Sequence, residues 1–260
     1  MLRLFSNIRK TLILRRQGSE GQVNEGKTSR YVRYAVGEVL LIMVGIILAL
    51  QFQNWNEGRL LEQERRELIE NLKVDFRTNL ERLETTIGDA EKMNASLQSF
   101  LHVAAVDNSH LTVEELRQLA SDGIGPIMFR PALGTYHSAI SDGSIGLIKS
   151  PQLNELIINF EQHYSYYLIN QNMDRESVLT GEAMSLRREL GSLAVLWNRN
   201  SYAAPETYVL SDSEYRKLIA RTEVYAFFEL TYNLQDNQKR RLWDAKVTAQ
   251  QILTALEALD

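Results

Sequence analysis

An apolar segment near the N-terminus constrains the fold of this chain more than any other feature. Residues 35–52 read AVGEVLLIMVGIILALQF, in which only Glu38 is charged. From Tyr34 to Trp55 a helix rising ~1.5 Å per residue covers about 30 Å, the thickness of a hydrocarbon core. Aromatic residues of the kind that favour membrane interfaces stand at both ends. We therefore predict a transmembrane helix over residues 31–55, with interfacial anchors at Tyr31, Tyr34 and Trp55.

The charges on either side of this segment predict its orientation. Residues 1–33 carry eight basic and two acidic side chains, whereas the residues after Trp55 carry 21 basic and 30 acidic ones. Basic residues are retained on the cytoplasmic side, so we place the N-terminus in the cytoplasm and everything after Trp55 outside. The prediction is a single-pass protein of a bacterial inner membrane with a periplasmic C-terminal domain. Its acidic exterior argues against nucleic acid as a partner, because phosphates attract the opposite charge.

Cleavage of the apolar segment as a signal peptide is the competing interpretation. The segment begins late in the chain, behind a long basic leader, and no small-x-small cleavage site follows it before Gln51. We therefore favour a retained signal anchor.

The basic leader, residues 1–30, includes LRLFSNIRKTLILRR, in which apolar residues recur at helical spacing among basic ones. Two interpretations are open. One is a basic amphipathic helix that lies on the inner leaflet of the membrane. The other is a cytoplasmic leader that directs insertion without being ordered.

Glu38 is an unusual residue to find inside an apolar segment. Gly45 and Ala49 follow it by seven and eleven residues, so the three lie on nearly one face of a helix. Small residues let a second helix approach, and a carboxylate can hydrogen-bond across such a contact. One interpretation is therefore a membrane helix–helix contact that forms a homo-oligomer. The other, which we favour, is a carboxylate that reaches the cytoplasmic headgroups.

The apolar residues after Trp55 recur at three- and four-residue steps for about fifty residues, which predicts that the first helix continues beyond the membrane. Two further long helices are predicted from Pro151 to about Leu190 and from Val224 to Leu259. Short helices are predicted between them, from the capping boxes Thr112–Glu115 and Ser211–Glu214 and from the residues Thr135 to Ser141.

We therefore predict an all-α protein. One N-terminal transmembrane helix continues into an extracytoplasmic antiparallel bundle of three long helices with short connecting helices. The predicted domains are the leader (1–30), the transmembrane helix (31–55) and a periplasmic helical domain (56–260). No segment alternates with period two for long enough to indicate a strand.

No motif in the chain predicts catalysis or a bound cofactor. The chain has no cysteine, and its four histidines stand outside any metal-binding spacing. The stretch Gly143-Ser-Ile-Gly146 is too short for a phosphate loop and lacks its lysine. We expect no enzyme activity, no metal and no cofactor.

One polar set lies in the irregular stretch from Gly123 to Ser150, where function tends to concentrate. Two interpretations are open for it. It forms a polar pocket, or it supplies a helix cap and a satisfied turn, which we favour. The set is Arg130, His137, Ser138, Asp142 and Ser144, and its candidate pocket residues are Arg130, His137 and Asp142.

The stretch from Tyr34 to Glu57, with its Gly-Glu pair and its Asn-Trp-Asn-Glu exit, resembles the N-terminal signature of a membrane family of Bacteroidota. That family is domain-of-unknown-function family 6090. The basic leader supports the resemblance, and Ser141-Asp-Gly-Ser-Ile-Gly-Leu-Ile148 is a second, weaker match. The resemblance implies a single-pass topology and supplies no catalytic residues.

Two functional hypotheses follow. The first is a non-enzymatic anchored protein that displays an acidic helical domain in the periplasm for protein–protein interaction or envelope assembly. Its partners would be the lipid bilayer and a membrane or periplasmic protein, which includes a second copy of the chain. The alternative is a ligand-sensing membrane protein that signals through a partner, since only the short leader remains on the cytoplasmic side.

Overall fold

The computed structural model describes residues 25–106, 110–190, 193–196 and 210–259. Every regular element in these ranges is helical, and no strand occurs among them. The prediction of an all-α protein is therefore confirmed for the described part of the chain. The amphipathic helix considered for residues 2–16 lies outside the described residues.

Seven α-helices and two 3₁₀ turns occur in the described ranges, with irregular segments between them. The three long helices, α1, α4 and α7, contain 81, 29 and 36 residues. The 3₁₀ turns are Ser144–Leu147 and Leu193–Leu196. The α-helices are α1 (Glu25–Ala105), α2 (Val113–Gly123), α3 (Gly134–Asp142), α4 (Pro151–Leu179), α5 (Gly181–Leu190), α6 (Asp212–Ile219) and α7 (Thr222–Glu257).

The chain divides into two units, Met1–Leu60 and Leu61–Asp260. The described part of the first unit is helical and leaves its large apolar side chains exposed. An 18-residue window of α1 has a mean hydropathy of 2.3, and none of it is buried. By length and composition, α1 is the one helix within the described ranges that could cross a membrane.

In the second unit, side-chain caps begin the helices where the sequence predicts them. Both predicted capping boxes form, with the side chains of Thr112 and Ser211 accepting hydrogen bonds from the backbone N–H of Glu115 and Glu214. The N-cap hydroxyl of Ser150 likewise accepts from the Leu153 N–H at the start of α4. Each cap satisfies a backbone donor that the first helical turn leaves unpaired.

The second long helix is shorter than predicted. The sequence predicts one helix from Pro151 to about Leu190, but α4 ends at Leu179 and α5 begins at Gly181. Between them Thr180 is extended, with φ −132° and ψ −172°, and its hydroxyl donates to the Glu176 carbonyl at 2.7 Å. A β-branched residue tolerates extended backbone well, and its hydroxyl satisfies a carbonyl of the last turn.

Two clusters of buried apolar side chains form the core within the described residues of the second unit. The first cluster joins residues 68–90 of α1, 127–148, 153–167 of α4 and 242–256 of α7. The second cluster joins residues 97–101 of α1 and 224–228 of α7 with α2, α5, α6 and the second 3₁₀ turn. Aromatic pairs contribute to each, Phe76 with Phe160 at 5.4 Å and Phe100 with Phe228 at 4.4 Å between ring centroids.

Polar contacts pair positions along α1 with positions along α7. Arg77 lies 3.9 Å from Glu257 and Lys246 lies 3.0 Å from Glu84, measured between the charged atoms. The amide nitrogen of Asn94 donates to Asp236 at 3.4 Å. Helix α4 packs along α7 as well.

Candidate functional site

The irregular stretch before α3 is held against α1 by a buried asparagine. The amide of Asn79 accepts a hydrogen bond from the Ala132 N–H at 2.6 Å and donates to the Ala132 carbonyl at 2.9 Å. One turn earlier, the carboxylate of Asp75 accepts from the Thr135 N–H at 3.2 Å. These contacts fix the start of α3 beside residues 75–79 of α1.

The same stretch is held against α4 by a buried tyrosine. The Tyr167 hydroxyl donates to the Ile127 carbonyl at 2.6 Å and accepts from the Phe129 N–H at 3.0 Å. The Gln171 amide donates to both the Ile127 carbonyl and the Tyr167 hydroxyl. Burial raises the pKa of Tyr167 to about 12, so the hydroxyl keeps its proton at physiological pH.

An open groove of about 880 Å³ lies between α1, α3 and the 3₁₀ turn that follows α3. We call it the acidic groove. Leu68 and Ala139 form its buried apolar floor, and polar side chains stand along its walls. The residues that line it are Leu61, Glu64, Glu67, Leu68, Asn71, Gly134, Thr135, Ser138, Ala139, Asp142, Gly143, Ser144, Gly146 and Leu147.

All charged side chains among the described lining residues of the acidic groove are acidic. Glu64, Glu67 and Asp142 line it, and none of its described lining residues is basic. Asp142 caps the turn after α3, since its carboxylate accepts from the Ser144 N–H at 2.8 Å. The hydrogen bonds from Ser144 lower the pKa of Asp142, which keeps it ionised. The turn needs Gly143, whose φ of 81° is strained for other residues.

The three candidate pocket residues of the polar set have different surroundings. Asp142 lines the acidic groove, whereas Arg130 and His137 are not among its lining residues. The imidazole of His137 lies 2.8 Å from the carboxylate of Glu161 on α4. The carbonyl of Arg130 accepts from the Arg82 guanidinium at 2.9 Å.

The residues predicted to act in the membrane all lie in the first unit. Tyr31, Tyr34 and Trp55 are between 60% and 64% exposed, and the ring of Trp55 packs at a tilt against Phe52 with ring centroids 5.8 Å apart. Glu38, Gly45 and Ala49 are exposed too, and a Cβ added at Gly45 would meet nothing within 4 Å. A helix–helix contact through these three residues stays a prediction.

A second polar site, which the sequence did not indicate, lies between the two apolar clusters. We call it the polar layer and define it as Asn94 of α1, Asp174 of α4 and Gln235 and Gln238 of α7. All four side chains are more than nine-tenths buried. The Gln238 amide donates to the Asp174 carboxylate at 3.2 Å. Burial raises the pKa of Asp174 to about 6, and the hydrogen bond from Gln238 opposes that rise.

The polar layer escaped prediction because its members carry no shared sequence signal. Asn170 to Glu176 is a polar run in α4, which marks Asp174 only as one of several polar residues. On α7, Gln235 and Gln238 resemble the exposed amides around them, and only the fold turns them inward. Among the described residues, no three His, Asp or Glu side chains are placed as metal ligands would be.

The fold therefore defines a class: a helical domain preceded, in the same chain, by an apolar helical segment long enough to cross a membrane. More particularly, the chain belongs to the family of unknown function DUF6090, whose family model matches residues 38–224. The resemblance to this family is thereby confirmed. No curated protein matches the chain, and no solved structure matches it either.

Proposed function

We propose that this protein is a single-pass membrane protein that displays an acidic helical domain for binding to a cationic segment of a partner protein. The observation that carries the proposal is the acidic groove, with three carboxylates and no basic side chain among its described lining residues. The N-terminus is cytoplasmic and the domain is periplasmic in this proposal, which places the protein in a bacterial inner membrane. Its role is interaction or envelope assembly and not catalysis.

The membrane part of the proposal rests on the first unit. Its apolar side chains have no partner to bury them within the described residues, and hydrocarbon would solvate them. Exposed aromatic residues at both ends of the segment suit the two interfaces. The surplus of basic residues before the segment supports a cytoplasmic N-terminus.

We further propose that α1, α4 and α7 form an antiparallel bundle in the second unit. The contacts between α1 and α7 support this arrangement, because position 77 pairs with 257, 84 with 246 and 94 with 236. Residue numbers thus rise along one helix as they fall along the other. Bundles of this kind commonly place binding surfaces where their helices meet connecting segments.

The acidic groove suits a cationic and partly apolar segment for two reasons. Its carboxylates attract Lys and Arg side chains, and the hydroxyls of Ser138 and Ser144 can accept further hydrogen bonds from them. Its apolar floor at Leu68 and Ala139 can bury aliphatic side chains between the charged contacts. A basic amphipathic segment satisfies both requirements.

A photocrosslinking residue at Ser138 of the full chain, in native membranes, tests this proposal. We expect a discrete adduct from Ser138, in the groove, and none from the exposed Ser165 on α4. The captured segment should carry a net positive charge. The adduct should weaken as salt is raised, because exposed charge pairs are screened.

Charge reversal provides the matched control. The double variant Glu64→Lys with Glu67→Lys should abolish the adduct, whereas Glu81→Lys with Glu91→Lys, exposed on α1 outside the groove, should keep it. Equal adducts from Ser138 and Ser165 would contradict the proposal. So would a captured segment without basic residues, or an adduct with a second copy of this acidic chain.

A ligand-sensing role is the second candidate, and the polar layer favours it. The polar layer contains buried oxygens without a hydrogen-bond partner among the described residues, which lower the stability of a core. Such destabilising groups are retained most often at functional sites. The sensor would signal through a partner. A helix–helix contact at Glu38, Gly45 and Ala49, the less favoured of the two interpretations of Glu38, would form a homo-oligomer and supply such a partner.

A further inference from the structure

The polar layer lies between the two apolar clusters on α1 and α7, and it follows the first cluster on α4. On α1, Asn94 follows the last residue of the first cluster, Ala90, and precedes the second cluster. On α4, Asp174 follows the first cluster. On α7, Gln235 and Gln238 lie between residue 228 of the second cluster and residue 242 of the first. The four side chains therefore occupy one level of the second unit.

Contacts with α7 place Asp174 and Asn94 beside the segment of α7 that carries Gln235 and Gln238. Gln238 already touches Asp174 at 3.2 Å, and Gln235 lies three residues before it on the same buried face of α7. Asn94 reaches the same turn, since its amide nitrogen lies 3.4 Å from Asp236.

Four buried acceptor oxygens of the polar layer lack a hydrogen-bond donor among the described residues. One oxygen of each side chain lacks a hydrogen-bond donor among the described residues, although all four side chains are more than nine-tenths buried. One of these oxygens belongs to a carboxylate and three belong to amides. An unpaired buried acceptor is costly, so four such oxygens favour a ligand that supplies positive charge. The oxygens are Oδ1 of Asn94, Oδ1 of Asp174, Oε1 of Gln235 and Oε1 of Gln238.

We propose that the polar layer binds a hard metal cation through these oxygens, with Asp174 as its one charged ligand. Carboxylate and amide oxygens are the ligands that Ca²⁺ and other hard cations prefer, and water completes their coordination. A site with a single carboxylate is a weak one, because affinity rises with the number of charged ligands. The proposal goes beyond partner binding at the acidic groove and does not depend on it.

No charged group among the described residues acts as a counter-ion for Asp174. Burial and the Gln238 amide account for its raised pKa, and no basic group of the described residues contributes. Arg175 and Glu176, its neighbours on α4, are exposed. On the facing helices, Asp236 pairs with Lys239 and Arg240, and Lys92 pairs with Asp89.

The test is thermal melting of the full chain in detergent, with unfolding monitored by circular dichroism. The protein is first stripped with a chelator and held in choline chloride at pH 7.5. CaCl₂, MgCl₂, NaCl and KCl are then titrated separately at constant ionic strength. We expect one cation to raise the melting temperature saturably, by roughly 5 °C at a hundredfold excess over its dissociation constant. Comparison of the four titrations identifies the cation that the site prefers.

Two variants and one control locate the effect. Asp174→Asn and Gln238→Leu should abolish the cation-induced rise, whereas Asp244→Asn, a half-exposed aspartate of α7, should keep it. Asp174→Asn also removes the cost of the buried charge. In choline chloride at pH 7.5, the melting temperature of Asp174→Asn should therefore be higher than that of the parent. If either site variant fails to fold, the other decides.

The pH dependence gives an independent readout. The folded-state pKa of Asp174 is raised to about 6 from 3.8, so protons compete with the cation as the pH falls below about 6. The cation-induced rise should shrink between pH 7.5 and pH 5 in the parent. The proposal would be overturned if no cation raised the melting temperature, or if a cation raised it equally in Asp174→Asn. In that case water would be left as the partner of the unpaired oxygens.

Discussion

Asn79 shows how one buried side chain can position a distant segment. It lies on the apolar face of α1 and is fully buried, yet both ends of its amide are hydrogen-bonded to the backbone of Ala132. The helical period of the sequence places Asn79 on the inner face of α1. Nothing in the sequence identifies a partner 53 residues further on, because a side-chain contact to backbone does not depend on the partner's residue type.

Replacement of this residue tests its importance. We expect Asn79→Ala to lower the free energy of unfolding by about 2 kcal/mol, because both polar backbone groups of Ala132 lose their partner. Urea unfolding of the full chain in detergent measures the change. The control is Asn237→Ala, which removes an exposed amide on α7 and should change stability by less than about 0.5 kcal/mol. Equal effects of the two substitutions would contradict the role of Asn79.

At the scale of elements, the sequence predicts how helices begin better than how they end. Capping boxes at Thr112 and Ser211 are local patterns, so the starts of α2 and α6 were predicted correctly. The sequence does not predict the break at Thr180. A Thr-Gly pair also occurs inside continuous helices, so packing decides whether the helix continues or ends there. For the same reason, Asp142 could be singled out from its turn, but the α1 wall of the acidic groove could not.

The end of α2 gives a prediction about packing between helices. A Cβ at Gly123 would lie 2.5 Å from Leu97 Cγ and 3.1 Å from the Leu97 backbone nitrogen. Since backbone cannot yield as a side chain can, we expect Gly123→Ala to destabilise the protein by about 1–3 kcal/mol. Urea unfolding measures it.

Gly125 provides the comparison. A Cβ there would meet only the flexible end of Met93, at 3.3 Å. The loss of stability in Gly125→Ala should therefore be the smaller of the two. If Gly123→Ala is as stable as the parent, α2 and α1 are not as closely packed as described.

At the scale of the whole molecule, the two units differ in the exposure of their apolar side chains. In the first unit the large apolar residues of α1 are about half exposed or more, whereas in the second they are largely buried in two clusters. This contrast was predictable, because an unbroken apolar run and a helical period of three and four residues are different patterns.

A charge in the apolar run tests membrane insertion. We expect Val44→Lys to lower the share of protein that resists carbonate extraction from membranes, because a lysine at mid-membrane costs about 2.5–3.5 kcal/mol. Val74→Lys is the matched control. It places the same charge on an exposed valine of α1 in the second unit and should leave extraction unchanged. Equal behaviour of the two variants would contradict a membrane-spanning role for residues 35–52.

The division of the core by Asn94, Asp174, Gln235 and Gln238 has a consequence for cooperativity. The two described clusters share no buried apolar residue, so the energetic link between the two halves of the helical unit passes through the continuous helices α1 and α7 and through these four polar side chains. Amide hydrogen exchange in α2, α5 and α6 can then proceed by partial opening while the opposite half stays protected. We expect cation occupancy or protonation of these side chains to change how strongly the two halves unfold together.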